Sequence, residues 1–196
     1  GLLIFSNGAI TLSNVTASNN NGYGALLDNN SASAPQNVTL TGVNAFNLNS
    51  LDGLRILSNG AITLSNVTAS DNFGNGAFLN NSAAPTPQKV TVTGANFLYN
   101  GLAGLAILSK GNVSVTKSIA SFNGTNGVSV NTTGSVTMTC GSYIDNIGYG
   151  LVVTGGTAGV SALKLASVVT ALNGSGGVDT TIWTGLPPVV TVPACP

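Results

Sequence analysis

The thirteen residues SNGAITLSNVTAS occupy positions 6–18 and recur unchanged at 58–70, an offset of 52. A diverged third copy, SKGNVSVTKSIAS, follows at 109–121. Self-similarity at a period of roughly 20–50 residues is the signature of solenoids, propellers and arrays, in which each unit buries its apolar face only against its neighbours. Any fold for this chain has to be built from stacked copies of one small unit.

The unit shows itself at glycines that precede short apolar alternations. Gly1, Gly24, Gly53, Gly76, Gly104, Gly127, Gly150 and Gly177 lead into LLIF, ALLD, LRIL, AFLN, LAIL, VSVN, LVVT and VDTT. Apolar residues at the first and third places are the period-2 mark of a strand with one buried face. A second alternation follows in each unit (AITLS, NVTLT, AITLS, KVTVT, NVSVT, SVTMT, ALKLA), and a third, shorter apolar stretch precedes the next glycine. Three short strands in units of 23 to 29 residues predict an all-β fold, a parallel β-helix (β-solenoid) of about eight coils with three short parallel sheets. The coils are expected to start near residues 2, 25, 54, 77, 105, 128 and 151, making a repeat domain over 1–177. From Val178 the rhythm fails, Trp183 appears, and LPPVVTVPACP predicts a terminal coil or cap over 178–196.

An asparagine stands four residues before every dividing glycine from Gly24 onward: Asn20, Asn49, Asn72, Asn100, Asn123, Asn146 and Asn173. Amides stacked about 4.8 Å apart can hydrogen-bond from coil to coil, so these seven are expected to form a structural ladder.

The N…GYG-apolar-x-apolar signatures at 20–27 and 146–153, with the NVT and SNVTAS strands, resemble the right-handed parallel β-helix repeat proteins, the superfamily that includes pectate lyases and polygalacturonases. The resemblance implies a right-handed coil and a mostly extracellular family acting on, or built into, polysaccharide-rich surroundings. Its enzymes use clustered acids with calcium, or aspartates with a histidine. Here the acids Asp28, Asp52, Asp71, Asp145 and Asp179 are spread over different units, and there is no Glu or His. No carboxylate dyad or histidine constellation can be assembled, so the expectation is a non-catalytic member with no metal and no cofactor.

Charged residues make up only 5% of the chain and sum to zero, which argues against a nucleic-acid surface. No apolar run approaches the roughly 18 residues of a membrane helix. Gly1 leads straight into LLIF, as expected of a mature or excised segment of a secreted or cell-surface protein. Cys140 and Cys195 are expected to form a disulfide. Two coils separate them by about 9.6 Å, so the tail has to fold back.

Two outward surfaces attract functional readings. On the second sheet Thr11, Thr39, Thr63, Thr91, Ser114 and Thr137 form one row and Ser13, Thr41, Ser65, Thr93, Thr116 and Thr139 another. This T-x-T array resembles the ice-binding face of insect-type antifreeze solenoids, although threonine is also an ordinary outward strand residue. On the first sheet Leu3, Phe5, Leu26, Leu57, Phe78 and Leu108 predict an exposed apolar strip. With the edge strand Leu2–Phe5, including Leu2 and Ile4, and with Trp183, this strip is the expected interface of a self-assembling extracellular structural protein. The partner would be the chain itself, as a homopolymer forming a surface filament, sheath or adhesin stalk. Ice is the alternative ligand, and polysaccharide a further candidate partner. The Pro/Ala loops at 29–36 and 80–88 are expected to project from one corner as spacers or packing elements.

Overall fold

The computed structural model describes residues 1–180, 183–191 and 195. Each coil contributes strands to parallel, in-register sheets. The first sheet stacks Leu2–Phe5, Ala25–Asp28, Leu54–Leu57, Ala77–Asn80, Leu105–Ser109, Val128–Thr132, Tyr149–Gly155 and Gly176–Asp179. The second stacks Ile10–Ser13, Val38–Thr41, Ile62–Ser65, Val90–Thr93, Val113–Thr116, Val136–Thr139, Leu163–Ala166 and Val189–Thr191. The third is shorter: Asn44–Ala45, Val67–Thr68, Asn96–Leu98 and Ile119–Ser121, prolonged by single bridges at Thr16, Ser142 and Val169. No helix occurs among the described residues, so none is long and apolar enough to cross a membrane.

The alternating side chains face inward as the period requires. Leu27, Ile56, Leu79, Ile107, Val130 and Val153 are all buried in one row, each in register with the same position of the next coil. The third wall alternates large and small: Phe46, Ala69, Phe97, Ala120 and Tyr143 are fully buried. At a coil spacing of about 4.8 Å the smaller residues above and below each ring make room for it. The Tyr143 hydroxyl meets only the Met138 sulfur, at 3.9 Å, and burial pushes its pKa far above the ordinary phenol value.

The asparagine ladder is complete. Each Nδ2 from Asn20 to Asn146 donates to the Oδ1 of the next ladder residue at 2.9 to 3.0 Å, and the backbone N–H of the same residue donates to that oxygen as well. From Asn49 onward the second Nδ2 proton goes to a carbonyl of the third wall, for example Asn100 to Ala69 O at 3.1 Å. The dividing glycines follow from this. A Cβ on Gly53 would lie 2.6 Å from Asn72 Nδ2 and from Phe46 O, so the amide occupies the space a side chain would need.

The residue just before each ladder asparagine is left-handed. Asn19, Leu48, Asp71, Tyr99, Phe122, Asp145 and Leu172 all have φ between 54° and 60°. A similar left-handed row, at Asn14, Gly42, Asn66, Gly94, Lys117, Cys140 and Ser167, turns the chain from the second sheet to the third. The Cys140–Cys195 disulfide forms, and their Cα atoms are 5.6 Å apart, nearer than a two-coil separation.

Within the expected terminal segment the described residues continue the stack. Val189–Thr191 pairs in register with Lys164, Leu165 and Ala166, with Pro187 and Pro188 placed ahead of the strand where no ladder N–H is lost. Residues 181, 182, 192–194 and 196 of the expected cap lie outside the described set.

Candidate functional site

The expected first-sheet strip is reduced by its own stacking. Leu26, Leu57, Phe78 and Leu108 are only half-exposed, because in-register neighbours cover one another's flanks. Arg55 breaks the row: its guanidinium lies 4.5 Å from the Phe78 ring centre and 5.6 Å from that of Tyr23, and Nη1 donates to Asp52 Oδ2 at 3.1 Å. Leu2 and Ile4 face inward and pack against the core. Trp183 does too, and its Nε1–H donates to Leu186 O, so it is not a free contact residue. Of the expected interface only Leu3 and Phe5 are large exposed hydrophobics.

The two hydroxyl rows lie where expected. Thr11, Thr39, Thr63, Thr91, Ser114 and Thr137 pair coil to coil before Lys164 ends the row. The Pro/Ala loops do not project freely. Ala32 and Ala84 are buried, Asn59 Nδ2 donates to Ala32 O and Ala34 O, and Lys110 Nζ donates to Ala84 O at 3.0 Å. The loops thus lie back on the following coil. Beside the second of them Lys89 and Lys110 line a groove of about 390 Å³ with Asn112, Thr133, Ser135 and Thr157.

The site that sequence reasoning missed lies at the corner leading from the third sheet back to the first. A groove of about 400 Å³ is lined by Leu48, Asn49, Ser50, Asp71, Asn72, Phe73, Tyr99 and Gly101. Phe73 is 83% exposed. Tyr99 stacks on Phe122 of the next coil, with ring centres 4.9 Å apart and planes 8° from parallel. Asp71 precedes this pair by one coil and Asp145 follows it by one. A left-handed residue is cheapest as Gly, Asn or Asp, as at Asn19, Asp71 and Asp145. Leu48, Tyr99, Phe122 and Leu172 adopt the same conformation at a cost of about 1–2 kcal/mol each. Stacking of the aromatic pair returns only about 0.5–1.5 kcal/mol. Backbone strain of this kind tends to concentrate at functional surfaces. The signal was legible in the register, since these residues all stand immediately before a ladder asparagine.

The five carboxylates stay apart, and among the described residues no group of three or more His, Cys, Asp or Glu side chains is placed to hold a metal. The one ion pair among them joins Arg55 to Asp52.

A family model described as "right handed beta helix region" matches residues 1–164. The chain belongs to the right-handed β-helix family. A search of curated proteins gives no match. Among solved structures, the mannuronan C-5 epimerase AlgE6 A-module of Azotobacter vinelandii superposes with a TM-score of 0.62 at 19% identity, covering 96% of this chain and 58% of that one. The chain therefore spans 58% of the length of that module. The expectation that the chain is no enzyme is corrected by this likeness. The neighbour is an enzyme module built on the same fold, so this fold is compatible with catalysis. At 19% identity the likeness establishes the shared fold.

Proposed function

We propose that the protein is an extracellular polysaccharide-binding β-helix whose glycan site is the corner groove around Phe73, Tyr99 and Asp71. The observation that carries this reading is the exposed aromatic surface of Phe73 and Tyr99, the latter in a left-handed turn, beside the Asp71 carboxylate. Binding sites combine an apolar or aromatic floor with a few polar groups that fix orientation. The faces of a pyranose ring suit Phe73 and the Tyr99–Phe122 stack, while its hydroxyls can donate to Asp71 and bond with Ser50. The extended groove and the repeated coil suit a polymer better than a single sugar. A polysaccharide ligand is supported by the solved neighbour with this fold, a mannuronan C-5 epimerase module. Charge narrows the ligand. Asp71 lines the groove and no cation does, so a neutral glycan is favoured over a polyuronate.

The test is affinity electrophoresis and calorimetry against a neutral glucan, a xylan and polymannuronate. The neutral chains are expected to bind, and Phe73→Ala to weaken binding about tenfold, the equivalent of ~1.4 kcal/mol. Absence of binding to every glycan, or a Phe73→Ala variant that binds as the parent does, refutes the reading. Proton NMR of polymannuronate after incubation reads epimerisation directly and tests whether the chain shares its neighbour's chemistry.

Self-assembly is a second use of the same corner. Ile147 and Leu172, 72% and 80% exposed, continue the apolar surface past the groove. Side-by-side packing there would give a cell-surface homopolymer. Negative-stain electron microscopy separates regular filaments from single short rods, and single rods reject this use.

A further inference from the structure

The second-sheet face carries two unbroken hydroxyl rows over six coils, and none of those hydroxyls has a partner within the described chain. Support by cross-strand hydroxyl pairing would be the ordinary reason for such rows, and it is absent here. Geometry explains why. Hydroxyls that repeat in the same orientation in every coil lie about 4.8 Å apart, beyond a direct O–H···O bond of about 2.7–2.8 Å. A water seated between two neighbouring hydroxyls can bridge them. Each hydroxyl offers one donor and two acceptor sites, so the face presents a grid of water positions spaced about 4.8 Å across the coils and about 6.7 Å along each strand. No charged side chain interrupts the grid before Lys164, so no ionic hydration shell competes with it. The asparagine ladder, at the corner between the third sheet and the first, holds the coil spacing fixed, which keeps the grid regular.

We propose that this face binds ice, with Thr39, Thr63, Thr91 and Thr137 holding waters in a lattice that a growing crystal surface incorporates. Each contact is weak, and binding arises from many of them engaging at once on one rigid plane. The proposal is independent of the glycan groove, which lies at a different corner.

Ice-recrystallisation assays on the whole chain test it, in a buffer that contains no polysaccharide. The parent protein is expected to keep crystals small at concentrations where an inert protein of equal mass does not. The Thr63→Lys/Thr91→Lys double variant places two hydrated charges in the middle of the grid and is expected to lose the effect. Phe73→Ala, on the glycan corner, is expected to keep it. Circular dichroism confirms that the double variant is folded; if it is not, Thr39→Lys alone takes its place. A parent protein indistinguishable from the inert control, or a folded lysine variant as active as the parent, overturns the proposal.

Discussion

Replacing Asn100 by alanine removes the middle of the ladder, and the cost can be worked from its partners. Asn100 Oδ1 accepts from the backbone N–H and Nδ2 of Asn72, at 3.1 and 3.0 Å. Its Nδ2 donates to Asn123 Oδ1 and Ala69 O, at 3.0 and 3.1 Å. Some partners keep a second bond: Asn123 Oδ1 still accepts from the Asn100 backbone, and Asn72 Nδ2 still reaches Phe46 O. The Asn72 N–H and the Ala69 carbonyl lose their bond outright, both inside the stack. A buried polar group left unpaired costs about 1–3 kcal/mol, so the pair gives ~2–6 kcal/mol. A loss near ~3 kcal/mol lowers the Tm of a chain this size by roughly 6–12 °C.

The control is Asn20→Ala. Asn20 is half-buried and donates to Asn49 Oδ1, which keeps its bond from the Asn20 backbone N–H after the substitution. The expected loss is that of one partly solvated hydrogen bond, about 0.5–1.5 kcal/mol. Both variants are unfolded in urea and by heat, followed by circular dichroism. If Asn100→Ala loses no more than Asn20→Ala, the ladder is not a structural support and the reasoning fails.

Gly53→Ala, whose new Cβ meets Asn72 Nδ2 and Phe46 O at 2.6 Å, is expected to destabilise strongly, whereas Gly22→Ala, with nothing within 4 Å, is expected to be near neutral; thermal melts of the two compare them directly. Removing the disulfide with Cys140→Ser opens a loop spanning 55 residues. The loop-entropy relation puts its contribution near ~4 kcal/mol as an upper bound, and limited proteolysis should cut the last coil first. Tyr143 stays neutral in the folded chain while an unfolded tyrosine ionises near pH 10. Below that pH the group contributes nothing to the balance. Above it the unfolded state releases a proton the folded state keeps, so stability should fall by about 1.4 kcal/mol per pH unit. Tyr143→Phe should abolish that part of the slope in urea titrations between neutral and alkaline pH.

Much of the fold was legible because a solenoid repeats its instructions. The period-2 rows, the dividing glycines and the Asn20-to-Asn173 register are independent readings of one coil, and each agrees with the others. Outward surfaces were harder. Leu26, Leu57 and Phe78 alternate as exposed residues do, but burial of an outward side chain depends on what stands one coil away, as with Arg55 lying over Phe78. The Pro/Ala loops read as spacers or packing elements by composition, and only the structure decides between them: their carbonyls meet Asn59 and Lys110 of the next coil. The aromatic corner was passed over because left-handed φ at Tyr99 and Phe122 has no residue-type signature; position before the ladder asparagine was the only clue. The sequence also led from scattered acids to absent catalysis, an expectation corrected by the finding that a solved neighbour with this fold is an epimerase module.

The ladder links the interior to both proposed surfaces. Because every coil is tied to the next through the same amide, the rise per coil is uniform, and each outward row inherits that rise whatever residues occupy it. A row of hydroxyls becomes a periodic grid and a row of rings becomes a stack. The strongest interactions are internal, so outward residues can change at a cost usually within about 0.5 kcal/mol. Surface variants such as Phe73→Ala and Thr63→Lys should therefore separate from ladder variants in one respect: they alter binding and leave the melting transition where it was. A ladder variant should do the reverse at first, lowering the Tm while glycan and ice binding survive until the coils themselves come apart. If surface and ladder substitutions instead shifted stability and binding together, the division of labour between inner amides and outer rows would be wrong.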